Sequence, residues 1–211
     1  MGAAELRFDG PADAPLTIAL AHGAGAPMDS PFMAAFADGL AARGWRIARF
    51  EFPYMAERRL SGRSRPPDRA AVLVDCWRAV VSRLGPQRLV LGGKSLGGRM
   101  ASLIADDAGV LGLVCLGYPF HPPGRPASTR TDHLRCLRTP ALVLQGTRDP
   151  FGSSDEVAGY ALSPAIRVHW LADGDHGFTP RKTSGRTERQ NWDEGVAAVD
   201  AFVASLAGPV D

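Results

Sequence analysis

The sequence predicts an α/β protein whose mostly parallel sheet is covered by helices on both faces. Short aliphatic or β-branched segments alternate along the chain with longer amphipathic ones, which is the order of repeated βαβ units. Several short segments are too apolar for a sheet with one wet face, as expected for strands covered on both sides. At 211 residues, the chain suits a single domain over residues 1–211 with one sizeable core.

Strands and helices can be assigned from this alternation. The predicted strands are residues 16–21, 45–50, 89–91, 110–116, 141–145 and 166–171. The predicted helices are residues 31–43, 68–84, 96–106, 154–161 and 192–206, with Asp68 as an N-cap and with Gly44 and Gly85 as helix-ending glycines. Irregular stretches at residues 53–67, 118–130 and 179–189 each follow a strand. They therefore belong at the carboxyl edge of the sheet, where ligands bind in open α/β folds.

Charge and cysteine usage narrow the classes of function. A formal net charge of +2 is far below the basic field of a nucleic-acid-binding domain, so no nucleic-acid partner is expected. The start of the chain has no apolar run behind a basic segment, and no stretch reaches transmembrane length, so we expect a cytoplasmic protein without a membrane partner. Cys76, Cys115 and Cys136 show no metal-ligand spacing; we expect reduced core cysteines and no metal.

A serine between glycines joins a predicted strand to a predicted helix. Residues 93–97, Gly-Lys-Ser-Leu-Gly, match G-x-S-x-G, in which the serine occupies a tight turn and the glycines let strand and helix backbones pass closely. An inert serine in a glycine-rich turn is the plain alternative. A phosphate-binding loop is another, but that motif needs glycine where the chain has Arg88. Ser95 is therefore the candidate nucleophile.

A nucleophilic serine needs a base and an orienting acid, which follow it in the chain order serine, acid, histidine in this strand–turn–helix context. Asp149 follows the strand at 141–145 and His176 follows the strand at 166–171, so both belong at the sheet edge of Ser95. Asp155, Asp173 and Asp175 remain rivals for the acid. The other histidines are less well placed: His169 lies inside a strand, His133 heads a short helical stretch at the surface, and His22 and His121 lie in loops.

Acyl transfer also needs donors for a developing oxyanion. The backbone N–H of Leu96 follows the nucleophile, and that of Ala24 lies in the glycine-rich loop after the first predicted strand. His22 is expected to brace that loop rather than to transfer protons. Four side chains are candidate pocket walls: His22, Tyr118, Phe120 and His121.

Four segments together resemble the small dienelactone-hydrolase-like branch of the α/β-hydrolases, and in particular bacterial relatives of its eukaryotic testis-expressed and chromatin-complex members. These segments are residues 22–25, 93–99, 146–152 and 174–176. The resemblance covers nearly the whole chain and implies a single-domain α/β-hydrolase fold with little or no cap and a hydrolase without a cofactor. Dienelactone hydrolases proper carry cysteine at the nucleophile position, so Ser95 argues against dienelactone as the substrate.

The predicted activity is hydrolysis of a small-molecule ester or thioester through an acyl-enzyme at Ser95. A serine peptidase or amidase, and a non-catalytic interaction protein like the chromatin-complex relatives, remain open. Positive charge in two loops either attracts an anionic substrate or is solvated surface. It consists of Arg58, Arg59, Arg63 and Arg65, and of Arg181, Lys182, Arg186 and Arg189, against only Glu57 and Glu188. The sequence identifies neither the physiological substrate nor the oligomeric state.

Overall fold

Seven strands form one sheet in the computed structural model, which describes residues 4–208. The first three residues, which belong to the chain start used above to predict localisation, lie outside the described residues, and so does that part of the prediction. The strands are β1 (Leu6–Asp9), β2 (Thr17–Ala21), β3 (Arg46–Phe50), β4 (Leu89–Lys94), β5 (Gly112–Leu116), β6 (Ala141–Gly146) and β7 (Ile166–Leu171). Their order across the sheet is β1-β3-β2-β4-β5-β6-β7, and β1 pairs antiparallel whereas the other pairs are parallel.

Helices cover both faces of the sheet, as predicted. They are α1 (Pro31–Ala41), α2 (Pro53–Ser61), α3 (Ala70–Leu84), α4 (Leu96–Ser102), α5 (Ala105–Ala108), α6 (Ser154–Val157) and α7 (Glu188–Ala207). Apolar residues of α1 and α7 share one core cluster with Ile18 and Leu20, and those of α3 and α4 share the other with Ala19 and Ala21. This alternation along β2 is the period-2 pattern of a strand buried on both faces. Within residues 4–208, no helix has both the length and the apolar character needed to cross a membrane.

The sheet topology brings two loops together at its carboxyl edge. From β2 the chain passes to β3 on one side and later to β4 on the other, so β2 and β4 lie at the point where the strand order reverses. Ala21 pairs with Gly93, so the two strands end at the same level. Crevices at such reversal points are where open α/β sheets bind ligands.

The structure adds two elements to the predicted ones. β1 was not predicted because it has only four residues and alternates weakly. Part of the stretch 53–67 that we expected to be irregular forms α2, which starts at Pro53 and ends at Gly62 with φ of 68°. A proline in the first turn and a left-handed glycine at the end are ordinary helix boundaries, but arginines obscure the apolar spacing between them.

Several local expectations are corrected. The expected helix 96–106 is divided into α4 and α5, and α7 begins four residues early because Thr187 and Gln190 form a capping box. Asp68 is not the N-cap of α3; Arg69 holds that position, and the Asp68 carboxylate accepts the Tyr54 backbone N–H instead. Gly85 does end α3.

Two side chains differ from the expected burial. Cys76 and Cys115 are buried, but Cys136 is exposed because it ends a short 3₁₀ turn over Asp132–Cys136 at the surface. His133, in the same turn, is partly buried rather than a surface residue, and its ring is hydrogen bonded to Ser102.

A buried ion pair fastens β1 to the sheet. The Arg49 side chain on β3 is almost fully buried, and its Nε and Nη2 atoms donate to the two Asp9 carboxylate oxygens at 2.8 and 2.9 Å. Removing the carboxylate leaves a buried guanidinium without its counter-charge.

We expect Asp9→Ala to lower the free energy of unfolding by about 2–3 kcal/mol, because truncating one partner of a buried ion pair leaves the other charge buried without a partner. Asp13→Ala, at an exposed aspartate a few residues away, is the matched control and should change it by less than ~0.5 kcal/mol. Urea unfolding measures both. Equal effects of the two variants would show that the Asp9–Arg49 pair contributes nothing specific.

Candidate active site

Ser95 occupies a strained turn between β4 and α4. Its φ and ψ are 49° and −108°, a conformation that costs a non-glycine residue about 1–3 kcal/mol. The neighbouring backbones pass too closely for side chains: a methyl group at Gly93 would lie 2.7 Å from the Gly97 carbonyl carbon, and one at Gly97 would lie 2.6 Å from the Ala21 carbonyl oxygen. The glycines of the motif are therefore required by packing, and the serine is held out of the strand.

A chain of two hydrogen bonds joins the three predicted side chains. His176 Nε2 lies 2.9 Å from Ser95 Oγ, and His176 Nδ1 lies 2.8 Å from Asp149 Oδ2. The Asp149 side chain is fully buried, whereas that of His176 is 23% exposed. The geometry thus places a serine hydroxyl against an imidazole that is itself held by a buried carboxylate.

The histidine is suited to accept a proton. A carboxylate only accepts, so Nδ1 carries the hydrogen and Nε2 is free to accept from the Ser95 hydroxyl. Burial lowers the pKa of His176 below its usual 6.5, against the opposing hydrogen bond to Asp149. The imidazole is therefore mainly neutral at pH 7. The Phe151 ring, with its centroid 4.2 Å away, packs against the imidazole.

Gln145, which the sequence reasoning missed, holds the acid in place. Its Nε2 donates to Asp149 Oδ2 at 3.0 Å, and its Oε1 accepts the Tyr118 backbone N–H at 2.8 Å. The other Asp149 oxygen accepts the Phe151 backbone N–H at 2.8 Å. A fully buried glutamine within an otherwise apolar strand was the available signal, because a buried amide needs partners.

The loop after β2 is braced as expected. The buried His22 ring accepts the Phe52 backbone N–H at Nε2 (3.1 Å), which leaves the Nδ1 hydrogen to bond the Gly23 carbonyl at 2.6 Å. The Tyr54 hydroxyl is also within hydrogen-bond distance of that carbonyl. Since the peptide is trans, the Ala24 N–H points to the opposite side. Within residues 4–208, the Ala24 and Leu96 N–H groups donate to no protein acceptor, so both are free to bind a ligand.

The four candidate pocket walls are buried instead. His22, Tyr118 and Phe120 have no exposed surface and His121 has almost none, so none of them borders an open cleft. Tyr118 and Phe120 join the core because the chain turns inward directly after β5, where the Tyr118 hydroxyl donates to the Arg130 carbonyl. The segment that could form a lid is thus tied down at both ends.

The rival acids have other partners. Asp173 bonds Arg181, Asp175 accepts the Gly177 and Thr179 backbone N–H groups within the histidine loop, and Asp155 is exposed in the first turn of α6. His169 lies on β7 opposite Glu194, 3.2 Å away. Of the candidate acids, Asp149 is the one whose carboxylate meets His176.

Most positive charge in the two basic loops is paired locally. Arg59 contacts Glu51 and Asp29, and Arg65 contacts Glu57 and Asp68. Arg181, Arg186 and Arg189 contact Asp173, Glu194 and Asp193 respectively. Arg58 donates to the Gly25 carbonyl at 3.3 Å. These pairs neutralise much of the field that the sequence alone attributes to the loops.

A cavity of about 540 Å³ lies away from these residues, between the chain start, α2 and α3. Met28, Pro53, Leu60 and Ala79 contribute to its lining, whereas Ser95, Asp149 and His176 do not. Four charged residues line it, Glu5, Glu51, Arg59 and Asp75, and of these Glu51 and Arg59 pair with each other. The cavity is therefore separate from the Ser95, His176 and Asp149 side chains.

Lys94, the variable residue before the serine in the motif, supports the histidine loop. Its ammonium donates to the His176 carbonyl oxygen and lies 4.9 and 5.1 Å from the centroids of the Phe32 and Phe178 rings. Burial lowers the pKa of Lys94 to about 8, against the opposing charges of Asp149 and Asp175. The Lys94 charge also contributes to lowering the pKa of His176.

Comparison with known proteins identifies the family of the chain. A family model described as an alpha/beta hydrolase domain matches residues 14–204, nearly the whole chain.

Solved structures of similar fold include an α/β serine hydrolase without a lid from Xanthomonas campestris (TM-score 0.72, 20% identity, covering 99% of this chain and 91% of that one). A dienelactone hydrolase from Anabaena variabilis is similar to the same degree (TM-score 0.70, 20% identity, 96% and 91% covered). The esterase domain of a Rhodothermus marinus protein also matches (TM-score 0.69, 17% identity, 96% and 93% covered). At these identities, the likeness establishes the fold.

The chain contains only two lysines, Lys94 and the exposed Lys182, which makes the Lys94 titration directly observable. With ¹³C-labelled lysine, we expect one side-chain signal to titrate near pH 8 and the other near ~10.4, the ordinary lysine value. Lys94→Met should remove the first signal and Lys182→Met the second. Two signals that both titrate above pH 10 would contradict the burial of Lys94.

The same shift predicts a pH-dependent stability. Between pH 8 and about 10.4 the unfolded chain holds the Lys94 proton that the native protein has released, so the free energy of unfolding rises with pH. Wild type should therefore gain stability relative to Lys94→Met as pH rises from 8 to 10 in urea unfolding. A pH-independent difference would contradict the lowered pKa.

Proposed function

The chain belongs to the α/β-hydrolase domain family, and from that membership and the site geometry we propose that it is a serine hydrolase acting on small-molecule esters or thioesters. Ser95 is the proposed nucleophile, His176 the general base and Asp149 the orienting acid. The hydrogen-bonded chain from Ser95 through His176 to the buried Asp149 carries the proposal. A strained serine, a neutral imidazole and a buried carboxylate in this order are the components of acyl transfer.

The proposed reaction proceeds in two halves. As Ser95 Oγ attacks the acyl carbon, His176 Nε2 takes the hydroxyl proton, and Asp149 stabilises the resulting imidazolium. The Ala24 and Leu96 N–H groups, which have no protein acceptor among the described residues, donate to the oxyanion. The imidazolium then protonates the leaving alcohol or thiol, and a water activated by His176 hydrolyses the acyl-enzyme.

Gln145 and His22 support the proposed reaction by positioning other groups. Gln145 keeps the Asp149 carboxylate directed at the imidazole, and the His22 ring turns the Ala24 N–H outward by holding the Gly23 carbonyl. The partial exposure of His176 and the exposure of Ala24 leave the reacting groups open to a substrate. Loss of one oxyanion donor costs acyl-transfer enzymes on the order of 10²–10³ in kcat.

A fluorophosphonate probe should label wild-type protein once, at Ser95, because only an activated serine reacts. Ser95→Ala should abolish labelling while the far-UV circular dichroism stays unchanged. Ser128→Ala, at an exposed serine, is the matched control and should label like wild type. Intact-protein mass spectrometry reads the adduct; labelling of Ser95→Ala, or none of folded wild type, would overturn the assignment.

Asp149→Asn should lower kcat for an activated ester by about 10⁴-fold, since an amide neither stabilises the imidazolium nor favours the required tautomer. Asp155→Asn, at the exposed aspartate of α6, should leave kcat within about twofold. Steady-state kinetics on an acyl-ester and thioester panel measures both effects and separates the two substrate classes. A larger loss in Asp155→Asn would show that the acid is misassigned.

A further inference from the structure

Two partly buried arginines, Arg99 and Arg130, lack counter-charges among residues 4–208. Arg99 lies on α4 and Arg130 ends the segment after β5. In the part of the chain that the structure describes, neither guanidinium forms a salt bridge or donates a hydrogen bond, and Arg99 Nε is buried without a partner. By contrast, the almost fully buried Arg49 and the partly buried Arg148 contact aspartates.

A polar network connects the backbone carbonyls of the two arginines. The Ser102 hydroxyl donates to the Arg99 carbonyl and lies 2.8 Å from His133 Nε2, and the Tyr118 hydroxyl donates to the Arg130 carbonyl at 2.9 Å. The Tyr118 hydroxyl is also 3.5 Å from the His133 ring nitrogen. Burial, followed by the nearby Arg99 charge, lowers the pKa of Arg130 and also that of His133. The positive charges of Arg99 and Arg130 therefore lie close enough to repel each other, in a region that is partly shielded from water.

Few negative groups face this cluster. Asp132 opposes the lowering of the His133 pKa, but it is exposed and pairs with neither arginine. Holding two unpaired guanidiniums partly out of water is unfavourable, and a bound anion removes that penalty. Guanidinium groups bind the oxygens of carboxylates and phosphates in a bidentate manner, so an arginine pair fits an oxyanion well.

Backbone hydrogen bonds connect the cluster to the residues of the proposed site. The Arg99 backbone N–H donates to the Ser95 carbonyl at 3.0 Å, one helical turn away, and helical side chains lean toward the helix start. Tyr118 connects the cluster to the acid, because its backbone N–H bonds Gln145, which in turn donates to Asp149. The two regions thus share the carboxyl edge of the sheet.

We propose that Arg99 and Arg130 form a subsite for the oxyanion group, a carboxylate or a phosphate, of an acyl substrate whose ester or thioester reacts at Ser95. The substrate assignment rests on the proposed function, whereas anion binding by the two arginines does not. With this subsite, the chain binds anionic substrates in preference to neutral ones. The arginines of the two basic loops do not account for such a preference, because most of them are paired.

The first experiment measures anion binding without any turnover. The melting temperature of the full chain is recorded at low ionic strength with added malonate or inorganic phosphate, against sodium chloride of matched ionic strength. We expect the better-fitting anion to raise Tm by about 3 °C or more, because it binds the native state only. Arg130→Gln and Arg99→Gln should lose this rise, whereas Arg125→Gln, at an exposed arginine of the same segment, should keep it.

The second experiment uses a pair of esters that differ in one charge. An aryl ester of succinate with a free carboxylate is compared with its neutral methyl-capped counterpart; if phosphate gives the larger Tm rise, a phosphate-bearing ester replaces the first. The ratio of kcat/KM for the anionic over the neutral ester should fall about tenfold or more in Arg130→Gln and should be unchanged in Arg125→Gln.

The outcomes separate the two proposals. No anion-specific Tm rise in wild type, or an equal rise in Arg130→Gln, overturns the subsite even if Ser95 is labelled and esters are hydrolysed. A specific rise together with an unchanged kcat/KM ratio in Arg130→Gln overturns its role in substrate binding. If folded wild type is not labelled by the fluorophosphonate, the hydrolase proposal fails, and the Tm series alone decides on anion binding. Should Arg99→Gln fail to fold, Arg130→Gln, outside the regular elements, serves as the test.

Discussion

The close approach of backbones around the turn between β4 and α4 is the constraint on which the rest of the site depends. Gly93, Gly97 and Gly98 lie where any side chain would meet a main-chain atom at 2.6–2.7 Å. That crowding allows α4 to start directly against the sheet and forces Ser95 into its strained conformation. The strain is sustained because β2 and β5 pair with β4 on both sides and fix its end. The strained conformation of Ser95 is therefore a consequence of how the backbones pack against the sheet.

Charge in the site is arranged around one imidazole. Asp149 is buried and hydrogen bonded on both oxygens, which fixes the direction of the carboxylate. Lys94 reaches the same loop from the sheet and contributes to keeping the histidine neutral. Burial of the imidazole, aided by the Lys94 charge, lowers the pKa of His176 against the effect of Asp149, so the histidine can be held firmly by a carboxylate and still accept a proton at pH 7.

The sequence predicts the strands and the order of the site residues well, for physical reasons. Parallel strands buried on both faces must be nearly continuous apolar runs, and β6, which is buried along its whole length, differs from its predicted range by one residue. Their carboxyl ends share one edge, so Ser95, Asp149 and His176 could be expected together from strand order alone. β1 and α2 escape prediction because they are short and rich in charged residues, and their conformation depends on partners far along the chain, such as Arg49 for Asp9.

Side-chain direction is what the sequence does not contain. Gln145 and Lys94 lie within or beside predicted features, but their importance depends on which neighbours their ends reach. Tyr118 and Phe120 were expected at a pocket because they follow a strand, yet an irregular segment has no periodicity to indicate that their rings turn into the core. Arg99 and Arg130 have no charged partner among residues 4–208, but a sequence with many arginines does not reveal this until the partners of the others are known.

The antiparallel β1 also affects how the sheet meets other molecules. A sheet edge offers unpaired backbone groups on which a second chain can add a strand, which is a route to aggregation. Here the edge strand is only four residues long, carries the exposed Arg7, and has its exposed Phe8 ring covered by the Arg46 guanidinium at 4.3 Å. A short, charged and partly shielded edge is a poor template for an incoming strand, so the β1–β3 pair caps the sheet against growth on that side.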